Sequence, residues 1–407
     1  MNNLYQKKNK DYSVIIIFII LNLFSMNNYI EINLFYKPII FYSFIYLIVF
    51  IISNYFIKHC QLIDYDKRII TVLKLFWLHS VTIIILGVVS ADNYFEYKFI
   101  FIGYVPYLFI TLCIFLISDI EQLIYFLKKY FNVYLPISIF LLILFYNSSS
   151  EFFTRGNSFL YFFVIFYPFV KNKKIKLLLI FATIASFVIE PGWRTNILRI
   201  SLIWMFVILY NFKFINSKNF LFFFKIIILI PIFYFLITYI LKINLIDIFT
   251  SNADENPFFA DTRSFMFSLT LEAIMENNLK LIFGYGTNAS LFIESFNDYS
   301  SFDRFGEVGR LNQESAFITK LHKAGILGVL IDLSLFIVAG LTSIKYSNND
   351  FSKFIGLLCA LNYLVYFVEI PIGININYFF IYMIIGLATL NSLRAKTTNE
   401  IIKYFEK

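Results

Sequence analysis

Apolar runs of about twenty residues recur along the whole 407-residue chain, and that repetition leaves few folds open. They fall at about 13–33, 38–57, 69–90, 98–117, 131–147, 158–170, 177–190, 196–211, 220–241, 315–343, 353–370 and 374–392. Hydrophobic residues make up 59% and charged residues 15% of the chain, and no water-soluble core is that apolar throughout. The runs are continuous rather than alternating, which argues against a β-barrel. The fold expected is an all-α, polytopic integral membrane protein with about 12 transmembrane helices. Residues 1–241 hold the first nine spans and 242–314 form the one large polar loop. Residues 315–407 supply the last three spans and a tail. The first run lacks a small-residue cleavage site and is followed by further spans, so it is read as a span, not a cleaved leader.

Basic residues are not spread evenly between the spans. One alternating set of loops carries Lys7, Lys8 and Lys10, then Lys58, Lys67 and Arg68, then Lys128 and Lys129. It continues with Lys171, Lys173, Lys174 and Lys176, with Lys213 and Lys218, with Lys345 and Lys353, and with the tail from Arg394. Intervening short loops hold mostly single basic residues. Positive charge in short loops marks the cytoplasmic side. Both termini are therefore expected to be cytoplasmic and the 242–314 loop to face outward.

That loop is where polar chemistry can gather, because lipid-bound segments have little freedom to present it. Within it, Thr262 to Leu279 reads as an amphipathic helix lying on the outer membrane surface. Phe267, Leu271, Ile274 and Met275 share one face, Glu272 and Glu276 lie opposite, and Asp261 is a candidate N-cap. The FGYG segment at 283–286 then suits a tight turn.

Lysine outnumbers arginine 26 to 8, yet six arginines (Arg155, Arg194, Arg199, Arg263, Arg304, Arg310) fall in outward loops or at outer span ends. Lysine suffices for topology. Arginine adds a permanently charged planar fork that grips phosphate in bidentate fashion, which points to a pyrophosphate at headgroup level. Arg194 leads, in the short turn EPGWRTN (190–196), with Arg199 following on the next helix. The bland alternative is pairing with the loop's own carboxylates: Arg304 lies between Asp303 and Glu307, and Arg199 could satisfy Glu190 or Glu369.

Glycosyl transfer from a lipid pyrophosphate needs charge stabilisation on the leaving group and usually a base for the acceptor hydroxyl. Glu314, Asp261, Glu190 and Glu307 are the outward candidates, and Glu314 adjoins both the loop arginines and a span end. His322 reads as an interfacial residue and Asp64-Tyr65-Asp66 as a solvated turn. Phe258, Phe259, Tyr285 and Trp193 could stack on sugars. Cys60, Cys113 and Cys359 are too scattered for a metal site or disulfide framework, and no Walker loop or HExxH is present. No metal or other cofactor is expected, and nothing suggests nucleic-acid binding.

Three segments, GWRTNILR (192–199), DTRSFMFSLTLEAIMENNLKLIFGYG (261–286) and NQESAFITKLHKAGILGVL (312–330), give the chain a resemblance to bacterial O-antigen and capsule repeat-unit polymerases (Wzy type). More broadly, it resembles the superfamily these share with O-antigen ligases. The order is an Arg-Thr turn before a span, an arginine-led helix running into G-x-G, and a polar segment before a span with G-x-x-G (Gly325, Gly328). Together these segments cover about a fifth of the chain. The resemblance implies a GT-C-like, metal-independent glycosyltransferase of the bacterial cytoplasmic membrane with its active site outside. Its donor and acceptor would be undecaprenyl-pyrophosphate-linked oligosaccharides, with a chain-length regulator as a further partner. Arg194 and Arg263 would carry over as pyrophosphate contacts and Glu314 is the candidate base. Arg199, Arg304, Arg310, Tyr285 and Trp193 are the candidate substrate contacts. Asn312-Gln313-Glu314-Ser315 stands where ligases commonly carry a histidine, which favours a polymerase over a ligase transferring glycan to lipid A core. The rival from another class is a flippase for the same lipid-linked oligosaccharide, for which broken helices and midplane charges would be expected. The sequence is read as having neither.

Overall fold

The computed structural model describes residues 46–54, 56, 64–92, 94–144, 157–189, 194–235, 270–275, 277–288, 315–368 and 376–406. Among them the secondary structure is helical, apart from one isolated bridge between Tyr65 and Leu390. The helices that matter for the site are α1 (Lys67–Ser90), α2 (Arg194–Asn211), α3 (Phe220–Phe235), α4 (Asn278–Phe283), α5 (Ala316–Lys345), α6 (Asp350–Tyr366) and α7 (Ile376–Thr389). α5 is the hub, packing against α1, α3, α4, α6 and α7.

Two helices, α1 and α5, are long and apolar enough to cross a membrane, and a third candidate is a pair bent by 110° between Leu108–Phe115 and Ile120–Phe140. Their exposed surface fits that setting. Along α1, Ile69, Leu73, Phe76, Ser80, Ile83 and Gly87 face the bundle, while Leu75, Leu78, Ile85 and Val89 face out. In water each such exposed side chain would forgo about 1.5–3 kcal/mol of burial; facing hydrocarbon, it does not. The chain is thus consistent with a helical membrane protein, with two or three candidate crossings among the described residues.

One end of the bundle is laced by hydrogen bonds. Asp66 N–H donates to the Thr389 carbonyl (3.2 Å), and Asn348 N–H to the Arg394 carbonyl (2.9 Å). The buried Asn349 amide donates to the carbonyls of Leu393 (3.0 Å) and Lys396 (2.9 Å). Tyr210 Oη donates to Asp350 (2.9 Å). These contacts bring α1, α2, α5, α6 and α7 together at the end where Lys67, Arg68, Lys213, Lys345, Lys353 and Arg394 lie. The Asp64-Tyr65-Asp66 turn is part of this lacing rather than merely solvated. Tyr65 is buried and donates to the Ile117 carbonyl (3.0 Å). Asp66 caps α1, accepting from Arg68 N–H (3.0 Å) and from its guanidinium at 3.0 and 2.9 Å.

Several boundaries differ from those expected. Lys128 and Lys129 do not form a loop: helix runs through them, as Ile120–Lys129, a π turn at Tyr130–Tyr134 and Leu135–Leu144. The break comes earlier, where Asp119 caps Gln122 N–H (2.9 Å). The run at 158–170 is not a full span, since only Leu160–Val164 is α-helical before turns take over. The helix expected from Thr262 to Leu279 stops before Asn277, which is extended and caps α4.

Candidate functional site at a broken helix

Gly325 interrupts α5 with φ 65 and ψ −172. That region of backbone space is essentially reserved for glycine. The break frees carbonyls in mid-helix, and buried carbonyls need partners. The FGYG turn supplies them: Tyr285 N–H donates to the His322 carbonyl and Gly286 N–H to that of Lys323, both at 3.0 Å. Gly284, which ends α4, shares the same unusual backbone (φ 74, ψ −168). The two glycines sit on each other's chains. A Cβ on Gly325 would lie 2.3 Å from the Ile282 carbonyl oxygen, and one on Gly284 would lie 2.3 Å from Lys323 C. Two segments separated by some forty residues are thus locked backbone to backbone. Ser90 of α1 holds the far side of the turn, donating to Asn288 (3.1 Å), whose amide donates to Glu96 (3.0 Å).

The neighbouring helical residues, 270–275, pack on the same place. Ile274 is buried with Ile318, Leu321 and Val329, and Leu271 packs against them. This segment therefore seats on α5, with Met275 of the expected apolar face left exposed.

Polar side chains concentrate around the break. Lys320, His322, Lys323 and Asp332 are all buried. Lys320 Nζ pairs with Asp332 at 3.2 Å, and Tyr366 Oη of α6 donates to the other Asp332 oxygen at 3.0 Å. The Lys320 ammonium also stands 4.9 Å from the Phe76 ring centre, and that of Lys323 5.4 Å from Tyr104. His322 is inside the protein rather than interfacial, its ring 5.2 Å from that of Tyr285. This arrangement gathers cationic donors beneath a glycine turn, and the bundle carries charge well away from its ends. The expectation of unbroken helices therefore fails at α5, which is interrupted at Gly325.

The residues singled out in the sequence fare unevenly. Tyr285 is at the break; its hydroxyl donates to the Ala273 carbonyl (2.6 Å) and Lys280 caps its ring at 4.1 Å. Arg194 is the first residue of α2. Arg199 is 2% exposed, stacked 5.3 Å from the Tyr161 ring, whose hydroxyl donates to Asn377 (3.3 Å). That placement is a packed interior one. Arg263, Arg304, Arg310, Glu314 and Trp193 lie outside the described residues. Sequence reasoning missed Lys320, Lys323, Asp332, Tyr366 and His79 as a group. The available signal was Asp332 itself, a lone carboxylate in ILGVLIDLSLFIVAGL. Among the described residues no cluster of three or more His, Cys, Asp or Glu is placed to hold a metal ion.

No family model, curated protein or solved structure matches this chain. Its class therefore rests on the architecture: a helical protein whose apolar outer faces suit a bilayer.

Proposed function

We propose that this chain is a membrane glycosyltransferase that polymerises polyprenyl-pyrophosphate-linked oligosaccharide units on the outer side of the cytoplasmic membrane. The growing glycan leaves its lipid pyrophosphate and is joined to the non-reducing end of the next lipid-linked unit. Arg194 and Arg263 hold the departing pyrophosphate, and Glu314 takes the proton of the acceptor hydroxyl. The end carrying Lys67, Lys345 and Arg394 is then the cytoplasmic one. The observation supporting this reading is the docking of the G-x-G turn onto the G-x-x-G helix. Two of the three segments that carry the resemblance meet, with Lys320, His322 and Lys323 at their junction and Ser315 leading into the outward loop.

The test is reconstitution with defined lipid-linked repeat units. Wild-type protein builds a ladder of products, and does so in EDTA. Arg194→Lys inserts normally and builds none, because an ammonium cannot reproduce the bidentate grip. Full-length ladders from that variant, or a strict divalent-metal requirement, would refute the scheme.

A second reading has its own observation. A discontinuous helix with a buried ion pair is what a translocation pathway uses, and α5 has both. A flippase would move fluorescent lipid-linked oligosaccharide between leaflets without lengthening it, so the same vesicles separate the two activities.

A further inference from the structure

A buried ion pair is poor value for stability alone, since well-packed apolar residues of similar volume often do as well or better. Ionisable groups inside a membrane bundle call for another role. Here the pair has a particular placement. Lys320 belongs to the half of α5 before Gly325 and Asp332 to the half after it, so their 3.2 Å contact ties the two halves across the break. Tyr366 fastens the Asp332 side to α6. On the other flank stands His79 of α1, buried, with its Nε2 lacking a hydrogen-bond partner. His79 Cε1 and Lys320 Cε both close over the bare Cα of Gly328, at 2.9 and 3.3 Å from where a Cβ would be. The His79 ring therefore stands beside the Lys320 side chain, on a different helix.

We infer that Lys320, Asp332, Tyr366 and His79 form a proton-binding site that latches the two halves of α5 across Gly325. In the closed state the ammonium of Lys320 pairs with the Asp332 carboxylate. Hydronium from bulk water gives one proton to Asp332 and becomes water; the carboxylate becomes a neutral acid, and no other covalent bond changes. Lys320 then turns its ammonium to the lone pair of His79 Nε2. The half of α5 that holds the FGYG turn is released from the half anchored on α6. Other ionisable groups surround this site: Lys323 of α5, Tyr104 from the π turn at Ile100–Tyr104, and Tyr378 and Tyr382 of α7 beside Tyr366, while the His322 ring lies against Tyr285. Such a two-partner lysine is a bistable element biased by a single proton. The latch does not depend on the substrate the protein acts on.

The test uses the full chain in lipid nanodiscs and needs no glycan. Infrared difference spectra across a pH titration are expected to show a protonated-carboxyl band that Asp332→Asn removes. Over the same pH interval, amide exchange at Tyr285 and Gly286, divided by the intrinsic rate, should rise roughly tenfold as the local contact opens. The double variant Lys320→Met/Asp332→Leu leaves no unpaired charge and serves if the single variant fails to fold. Its exchange should not vary with pH. A missing band, a band retained in Asp332→Asn, a band unaccompanied by faster exchange, or wild-type pH dependence in the double variant would each overturn the latch. Failure here leaves the polymerase reading standing, and an active Arg194→Lys enzyme leaves the latch standing.

Discussion

Replacing Gly325 by alanine tests the broken helix directly. At φ 65 and ψ −172 an L side chain costs about 1–3 kcal/mol. The new methyl would also meet the Ile282 carbonyl oxygen at 2.3 Å and Gly284 N at 2.7 Å, which are backbone atoms that cannot swing aside. Relief requires α4 to lift away, and the hydrogen bonds from Tyr285 and Gly286 go with it, adding about 1–3 kcal/mol for the two. Even the smaller sum, near 2 kcal/mol, shifts local opening by roughly thirtyfold. Hydrogen exchange in nanodiscs reads this at the Tyr285 and Gly286 amides. The exposed Leu330→Ala, two residues past Gly328, is the control and should leave those amides protected. If Gly325→Ala keeps wild-type protection at both amides with an unchanged unfolding temperature, glycine is not what permits the break. The account of the site would then fail.

Two further outcomes follow from the opposite end and from the core. Asp66→Ala should lose about 1–2 kcal/mol, through the helix cap and a guanidinium contact half open to solvent. The Arg68 hydrogen bond holds the Asp66 carboxyl below its ordinary value, so its contribution is present above about pH 4 and is lost as pH falls through the lower folded value. Denaturation curves of wild type and variant should therefore converge in acid; a difference that persists there would show that charge is not involved. Gly386→Ala puts a Cβ 1.8 Å from the Ile114 carbonyl oxygen, so α7 must part from the Thr111–Phe115 turn at about 1–3 kcal/mol. Unchanged thermal stability would contradict that packing.

How much of this could be read beforehand depends on whether the cause was local. The apolar runs at 69–90, 196–211 and 315–343 became helices with nearly those limits, because length and hydropathy alone demand it. Lys128-Lys129 misled because paired lysines usually end a span; on an exposed helical flank they cost little and the helix continues. The true break before it was legible, as Asp119 with Gln122 three residues on is a helix-start signal. Gly325 was not, because a glycine in an apolar run reads equally as close packing. Only the distant FGYG turn, docked on its freed carbonyls, makes it a break. Likewise Lys320 and Asp332 are twelve residues apart and meet only because the helix between them is interrupted.

The end of the bundle beside Arg394 and the junction at Gly325 are fastened by different means. The side chains of Asn348 and Asn349 stitch the turn between α5 and α6 to the segment after α7, beside Arg394. Among the described residues, the junction at Gly325 is joined by two main-chain hydrogen bonds and a close pair of glycines, with Ile274 packed beside them. A junction made of main-chain atoms and two glycines admits no Cβ, whereas the stitching beside Arg394 depends on which side chain stands at position 349.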